Sequence, residues 1–188
     1  MGLSRILLLT GTPGIGKTTV VQRAANEILA RGFKVGGMMT REVREGRTRI
    51  GFEIEDLSTS RKGWLARINQ PSGPRISKYR VNLKDLEEIG ARAIQDAVLQ
   101  ADVIVIDEIG PMELFSQPFK NMVMEAIHSE KAILGTIHHR ARGPFIEDIK
   151  KRKDVEIIVV TFGNRDRLPD LIIEKIVNAI KEQSIDHR

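Results

Sequence analysis

The stretch Gly11–Thr18, GTPGIGKT, constrains this chain more than any other part of it. It fits the spacing G-x-x-x-x-G-K-[ST], in which each fixed position has a physical reason. Gly11, Gly14 and Gly16 permit positive φ and carry no β-carbon that would hold a polyphosphate off the backbone. Along Gly11, Thr12, Pro13, Gly14, Ile15 and Gly16 the backbone N–H groups can then turn inward as an anion-binding nest. Lys17 is placed to reach the β- and γ-phosphates, and the Thr18 hydroxyl to ligate Mg²⁺. The flanks are what such a loop requires. Arg5 to Thr10 (RILLLT) predicts a buried parallel strand. Thr18 to Arg31 carries a helical pattern with Val20, Val21, Ala24, Ala25, Ile28 and Leu29 on one side, and Gly32 follows as its stop. The helix N-terminus adds its own attraction for phosphate.

The next segment changes character. Phe33 to Glu42 reads as a strand interrupted by glycines, and Thr48 to Leu57 alternates apolar Ile50, Phe52 and Ile54 after a Gly-containing turn. That is a β-hairpin pattern, with Trp64 to Ile68 as a possible third strand and Asn69 to Pro74 as a loop. An antiparallel insertion over about residues 36–80 of a mostly parallel sheet is expected. From Asn82, a candidate helix cap, the pattern alternates regularly. Helices are predicted at Leu83–Gln100, Glu113–Ser129, Phe145–Arg152 and Leu168–Lys181, and buried strands at Asp102–Ile106, Ala132–His138 and Val155–Thr161. Strands alternating with helices give a three-layer α/β/α sandwich of the phosphate-loop NTPase type, and 188 residues with 41% hydrophobic content suit one domain over 1–188.

Composition narrows the setting. Without cysteine there can be neither disulfides nor thiolate metal sites. No run approaches the ~20 apolar residues of a membrane span, and the apolar run at Ile6–Leu9 is too short for a signal peptide, so a cytoplasmic location is expected. Abundant charge and absent Cys are compatible with a thermophilic source. The net charge of +5 suits anionic substrates, but basic and acidic residues alternate along the chain, which disfavours nucleic acid as the main partner. Nothing in the sequence fixes an oligomeric state.

The second landmark is Val103–Gly110: Val103, Ile104, Val105 and Ile106, then Asp107, Glu108, Ile109 and Gly110. In phosphate-loop enzymes an acid at the end of a hydrophobic strand beside the loop helps organise Mg²⁺, and Asp107 fits that role. Glu108 follows at once, placed to activate a water. Lys17, Asp107 and Glu108 are therefore the catalytic candidates, with Thr18 and Asp107 holding the metal. Gly110-Pro111 makes a rigid turn, after which Met112, Leu114 and Phe115 read as a core stripe.

The stretches GTPGIGKTT, TREVREGRTRIGFEIEDL, VIVIDEIGPMELFS and VTFGNRDRLP together resemble the small nucleoside-triphosphatases of thermophiles and their eukaryotic relative, the cancer-related nucleoside triphosphatase. The resemblance runs from Ile6 to about Ile180. It implies Mg²⁺-dependent hydrolysis of nucleoside triphosphates to diphosphates with broad base tolerance, and it carries Gly11–Thr18 and Val103–Gly110 over as nucleotide-binding. Pro111 departs from the pattern, since relatives often have Lys there, and no side-chain role is assigned to it.

Other candidates are weaker. Arg41 and Arg44 flank the hairpin turn and match the family stretch, so they are the first choices for a phosphate contact, ahead of Arg47, Arg49, Arg140 and Arg142. Thr136, on the strand after the acids, is a candidate γ-phosphate contact. Adjacent His138 and His139 point to opposite faces of a strand and cannot together form a two-ligand metal site. Asn164 lies where a base often docks, but Asn164-Arg165-Asp166-Arg167 is not the guanine-reading motif, and a helix cap at Asn164 or Asp166 is the favoured reading. Two rival activities remain open from the sequence, a nucleotide or small-molecule kinase and a nucleic-acid-dependent ATPase.

Overall fold

The structure, a computed structural model, describes residues 4–186. Strand β1 (Ile6–Thr10) sends Ile6 and Leu8 into one apolar layer and Leu7 and Leu9 into the other. Such two-sided burial is what a continuous apolar run dictates once helices cover both faces. Helix α1 (Lys17–Ala30) starts from Gly16 and is stopped by Gly32, whose φ is +91°. Val20, Val21, Ala24, Ala25 and Ile28 are buried as predicted, whereas Leu29 is exposed. It lies one residue past Ile28, about 100° around the helix, outside the packed stripe.

Strand β2 (Val35–Glu45) is continuous, and its glycines do not interrupt it. Gly37 (φ +106°) presses against a neighbouring strand so closely that a β-carbon there would stand 2.1 Å from the Val105 carbonyl oxygen. The first half of β2 pairs in parallel with β7 (Val103–Ile109), and its second half pairs antiparallel with β3 (Thr48–Asp56). The insertion expected at about 36–80 therefore begins inside a core strand. It continues through β4 (Lys62–Arg67), β5 (Arg75–Ile76) and β6 (Tyr79–Val81), of which the last two are too short to be legible.

The helix predicted over Leu83–Gln100 is present in three pieces. Asn82 caps it, its side chain accepting the Asp85 N–H at 3.2 Å. The turn of α2 (Leu83–Asp85) widens into a π-helical stretch at Leu86–Ala91 and returns to α3 (Arg92–Gln100). The wide stretch carries Gly90 against β3, where a β-carbon would be 2.6 Å from Ile54 Cδ1. Leu99, read as part of the stripe, is exposed. After β7, the helix predicted from Glu113 begins as a 3₁₀ turn (Glu113–Phe115). Ser116 then caps α4 (Gln117–His128), its hydroxyl accepting the Phe119 N–H at 3.1 Å. Met112 and Leu114 pack on the core, but Phe115 points outward, so the expected stripe loses that member.

Strand β8 (Ala132–Ile137), α5 (Pro144–Lys150), β9 (Val155–Val159) and α6 (Leu168–Asp186) complete the chain. All strands join one sheet in the order β5-β6-β4-β3-β2-β7-β8-β1-β9. β9 is its last strand and is only partly buried, not the buried strand the apolar run suggested. The strands β2, β7, β8, β1 and β9 are parallel, and β3 to β6 antiparallel. Helices α1 and α6 cover one face, and α3, α4 and α5 the other. The strand that carries the acids is not directly beside the phosphate-loop strand, because β8 is inserted between them. The C-terminal ends of the parallel strands nevertheless gather on one edge, where ligands of open α/β sheets bind.

Candidate active site

The loop after β1 adopts what its glycines allow. Gly11, Gly14 and Gly16 have φ of +150°, +78° and +107°. Gly11 is also wedged, since a β-carbon on it would meet the Val160 carbonyl oxygen at 2.9 Å. Ile15 is buried and anchors the loop, leaving Thr12, Pro13 and Gly14 exposed at the mouth. Lys17 Nζ reaches back over the loop and donates to the Gly11 carbonyl at 3.3 Å.

The acids sit on a bulge. Pairing of β7 with β8 jumps from Ile106–Gly135 to Ile109–Ile137, so Asp107 and Glu108 together oppose Thr136. A bulge of this kind re-aims side chains at a strand end. Asp107 is buried, and the Thr136 hydroxyl donates to its Oδ1. Burial raises the pKa of Asp107, while the Thr136 and Thr18 hydroxyls and the charge of Lys17 oppose the rise. Its Oδ2 is buried without a hydrogen-bond partner. Glu108 is pushed up to about 7 by burial, against the pull of Lys17 and with a push from Asp107, and its Oε1 is likewise unpartnered.

Sequence reading missed a third carboxyl. Glu113 is buried and pushed up to about 8, first by burial and then by the charge of Glu108, while it accepts from the backbone N–H groups of Glu113 and Gly110. A β-carbon on Gly110 would lie 3.1 Å from Glu113 Oε2 and 3.5 Å from Glu108 Cδ, so both carboxyls lie against Gly110. The available signal was an acid inside the otherwise apolar turn PMELF.

The other candidates divide by position. Val103, Ile104, Val105, Ile106 and Ile109 are buried in the two core layers, so from this stretch only Asp107 and Glu108 offer side chains to a ligand. Gly110 contributes backbone. Thr136 is beside the acids, with its hydroxyl committed to Asp107. Met39 on β2 lies opposite Asp107, which puts Arg41 further along the same face. There Arg41 pairs with Glu55 at 3.4 Å, and Lys62 joins Glu53 and Glu55 at 3.2 and 3.6 Å. Arg44 is occupied at the hairpin end by Glu42 and the Arg47 carbonyl, and Arg49 by Tyr79 and Glu42. His138 follows the end of β8, its pKa lowered by burial and then by Lys17. Asn164 spends its side chain on its own loop, accepting the Thr161 N–H at 2.8 Å and donating to the Val159 carbonyl at 2.9 Å.

The donor set suits Mg²⁺. A hard cation that keeps much of its water shell takes one or two protein oxygens plus substrate phosphates. The Thr18 hydroxyl and the unpartnered Asp107 Oδ2 would be oxygens of that kind, and no cluster of three or more His, Asp or Glu occurs among the described residues.

Loop, bulge and sheet order define a phosphate-loop nucleotide-binding enzyme. Residues 6–173 match the family model described as NTPase, and the chain belongs to that family. It is 48% identical to the nucleoside-triphosphatase THEP1 of Thermofilum pendens, over 92% of this chain and 96% of the relative. To the protein of the same name from Methanosarcina acetivorans it is 45% identical, over 93% and 98%. Its fold is similar to the solution structure of a human cancer-related nucleoside triphosphatase, with TM-score 0.75, 38% identity and coverage of 89% and 95%. The crystal structure of THEP1 from Aquifex aeolicus matches with TM-score 0.80 and 30% identity, over 91% and 98%. The chain is thus a nucleoside-triphosphatase. Among the described residues no helix is long and apolar enough to cross a membrane.

Proposed function

We propose that this chain hydrolyses the β–γ bond of ATP, GTP and other nucleoside triphosphates with Mg²⁺, and that Glu108 activates the water. The observation that carries the reading is Glu108 on the β7 bulge, with a buried, unpartnered carboxylate oxygen beside Asp107. The nest and Lys17 hold the β- and γ-phosphates. Thr18 and Asp107 hold the metal, which neutralises charge on the phosphate oxygens when bound. Glu108 accepts a proton from the attacking water as its oxygen bonds to the γ-phosphorus. The bond from phosphorus to the β–γ bridging oxygen then breaks, and the proton leaves with inorganic phosphate. A pKa near 7 suits a group that must both take and release a proton near neutrality. Arg41, on the same face and half-exposed, is the arginine we assign to the γ-phosphate beside Lys17.

Glu108→Gln tests this. The variant should bind Mg²⁺ and nucleotide as the wild type does, and release phosphate at least ~100-fold more slowly. Wild-type turnover by the variant would refute the role of Glu108. Phosphate release without any added acceptor separates hydrolysis from kinase activity.

A further inference from the structure

The chemistry above leaves the base end of the nucleotide unassigned. Directly beside the phosphate loop lies an open cleft of about 280 Å³, lined by Gly16, Thr19, Val20, Arg23, Arg165 and Asp166. Because Gly16 is part of its wall, a nucleotide whose phosphates lie in the nest has this cleft within reach. The far wall is the loop after β9, closed by the Asn164 hydrogen bonds already described. Arg165 crosses from that loop to the phosphate loop, donating from Nη1 to the Ile15 carbonyl at 3.4 Å. Its Cδ stands 3.8 Å from the position a β-carbon on Gly16 would take. The guanidinium carbon lies 4.9 Å from the ring centroid of Phe162, a cation–π contact that ties Phe162 to this wall through Arg165. Phe162 itself is 74% exposed.

We propose that Phe162 and Arg165 form a stacking platform for the nucleobase, and that it reads the flat face of the base and not its edge. The proposal rests on the phosphate-loop reading of the preceding section. Every base has a π-face, so stacking on an aromatic ring or a guanidinium is tolerant of base identity. Strong discrimination instead requires polar groups that are buried and left unpaired by the wrong base. This cleft offers none of that kind. Asn164 is engaged within its loop. Asp166, the carboxylate at the cleft, has a side chain 82% exposed and only a 3.8 Å contact to Arg165. The arrangement accounts for a phosphohydrolase that takes several nucleoside triphosphates.

Calorimetry with nucleoside diphosphates and Mg²⁺ tests the platform without turnover. Phe162→Ala should weaken ADP, GDP, CDP and UDP by a similar factor, on the order of 10-fold, and leave inorganic tripolyphosphate unaffected. Phe162→Trp should retain diphosphate affinity and show emission quenched by each diphosphate but not by tripolyphosphate. Phe162 is exposed, so neither variant disturbs folding. Unchanged diphosphate affinities in Phe162→Ala, with tripolyphosphate binding normally, would overturn the platform alone. A loss confined to one base would overturn the claim that only the face is read. Tripolyphosphate failing to bind the wild-type protein would overturn the phosphate-loop reading as well.

Discussion

Glu113 sits protonated in the folded protein at a pH where a free carboxyl is ionised, and this has a measurable consequence. Its pKa rises from 4.5 to about 8, chiefly through burial. Each unit of difference between folded and unfolded states is worth about 1.4 kcal/mol, so the whole interval corresponds to roughly 5 kcal/mol. The sign follows from proton counting. Between pH ~4.5 and ~8 the folded chain holds a proton that the unfolded chain has released. Stability from this group is therefore complete below ~4.5, declines as pH rises, and is gone above ~8. Glu113→Gln keeps a carbonyl oxygen for the Gly110 N–H and nearly the same volume, but it cannot ionise. Relative to wild type, the variant should gain stability from pH 5 to about pH 8, by roughly 4 kcal/mol, and hold that gain to pH 9. Glu108 and Asp107 titrate in the same pocket, so the step removed belongs to the group of acids, and Glu113→Gln takes one charge from it. His138, with its lowered pKa, contributes in the opposite direction, but in both proteins, and cancels from the difference. The assay is denaturant unfolding of both proteins across that pH range with EDTA and no nucleotide. A stability difference that is the same at pH 5 and pH 9 would refute the reasoning.

Two other substitutions probe separate links. Gly37→Ala places a β-carbon 2.1 Å from the Val105 carbonyl oxygen at a φ of +106°, so two core strands must part. It should cost about 3 kcal/mol or more and lower Tm by roughly 6–12 °C, and a melting curve like the wild type would show that the β2–β7 approach is not tight. Arg41→Ala removes a half-exposed ion pair to Glu55 worth under ~1 kcal/mol, so stability should hardly change. Turnover should nonetheless drop at least ~10-fold if Arg41 meets the γ-phosphate, and an unaltered kcat would remove it from the site.

The parts of this molecule legible in the sequence are those where one local rule governs. The loop Gly11–Thr18 is written in residue types because only glycine tolerates its backbone. The apolar strands Ile6–Thr10 and Val103–Ile106 are written in continuous hydrophobicity. The sheet order was not legible: nothing local says that β8 slips between β1 and β7. Glu113 was missed because its role depends on the chain folding back through Gly110 toward Glu108, a contact that helical spacing does not encode. Asn164 was placed in the right loop, where its side chain bonds to Thr161 and Val159 of that same loop. Its neighbour Phe162, apolar and therefore unremarked in a polar turn, packs against Arg165, which lines the cleft.

The position of β8 bears on hydrolysis as opposed to transfer. Strands lie ~4.8 Å apart, so one intervening strand puts Asp107 roughly 10 Å across the sheet from the phosphate-loop strand. A triphosphate starting at α1 and extending over β8 brings its γ-phosphate towards Thr136 and the β7 bulge. A kinase must then seat a second substrate on the far side of the γ-phosphate. In this protein the next strands on that side, β2 to β4, carry Arg41, Glu55, Lys62 and Glu53 on the same face, linked by ion pairs. If the γ-phosphate lies there, that network stands where an acceptor would be seated, and Glu108 follows Asp107 on the bulge beside it. On the proposed reading a water is the smaller nucleophile for that space, whereas an acceptor would first have to break the network.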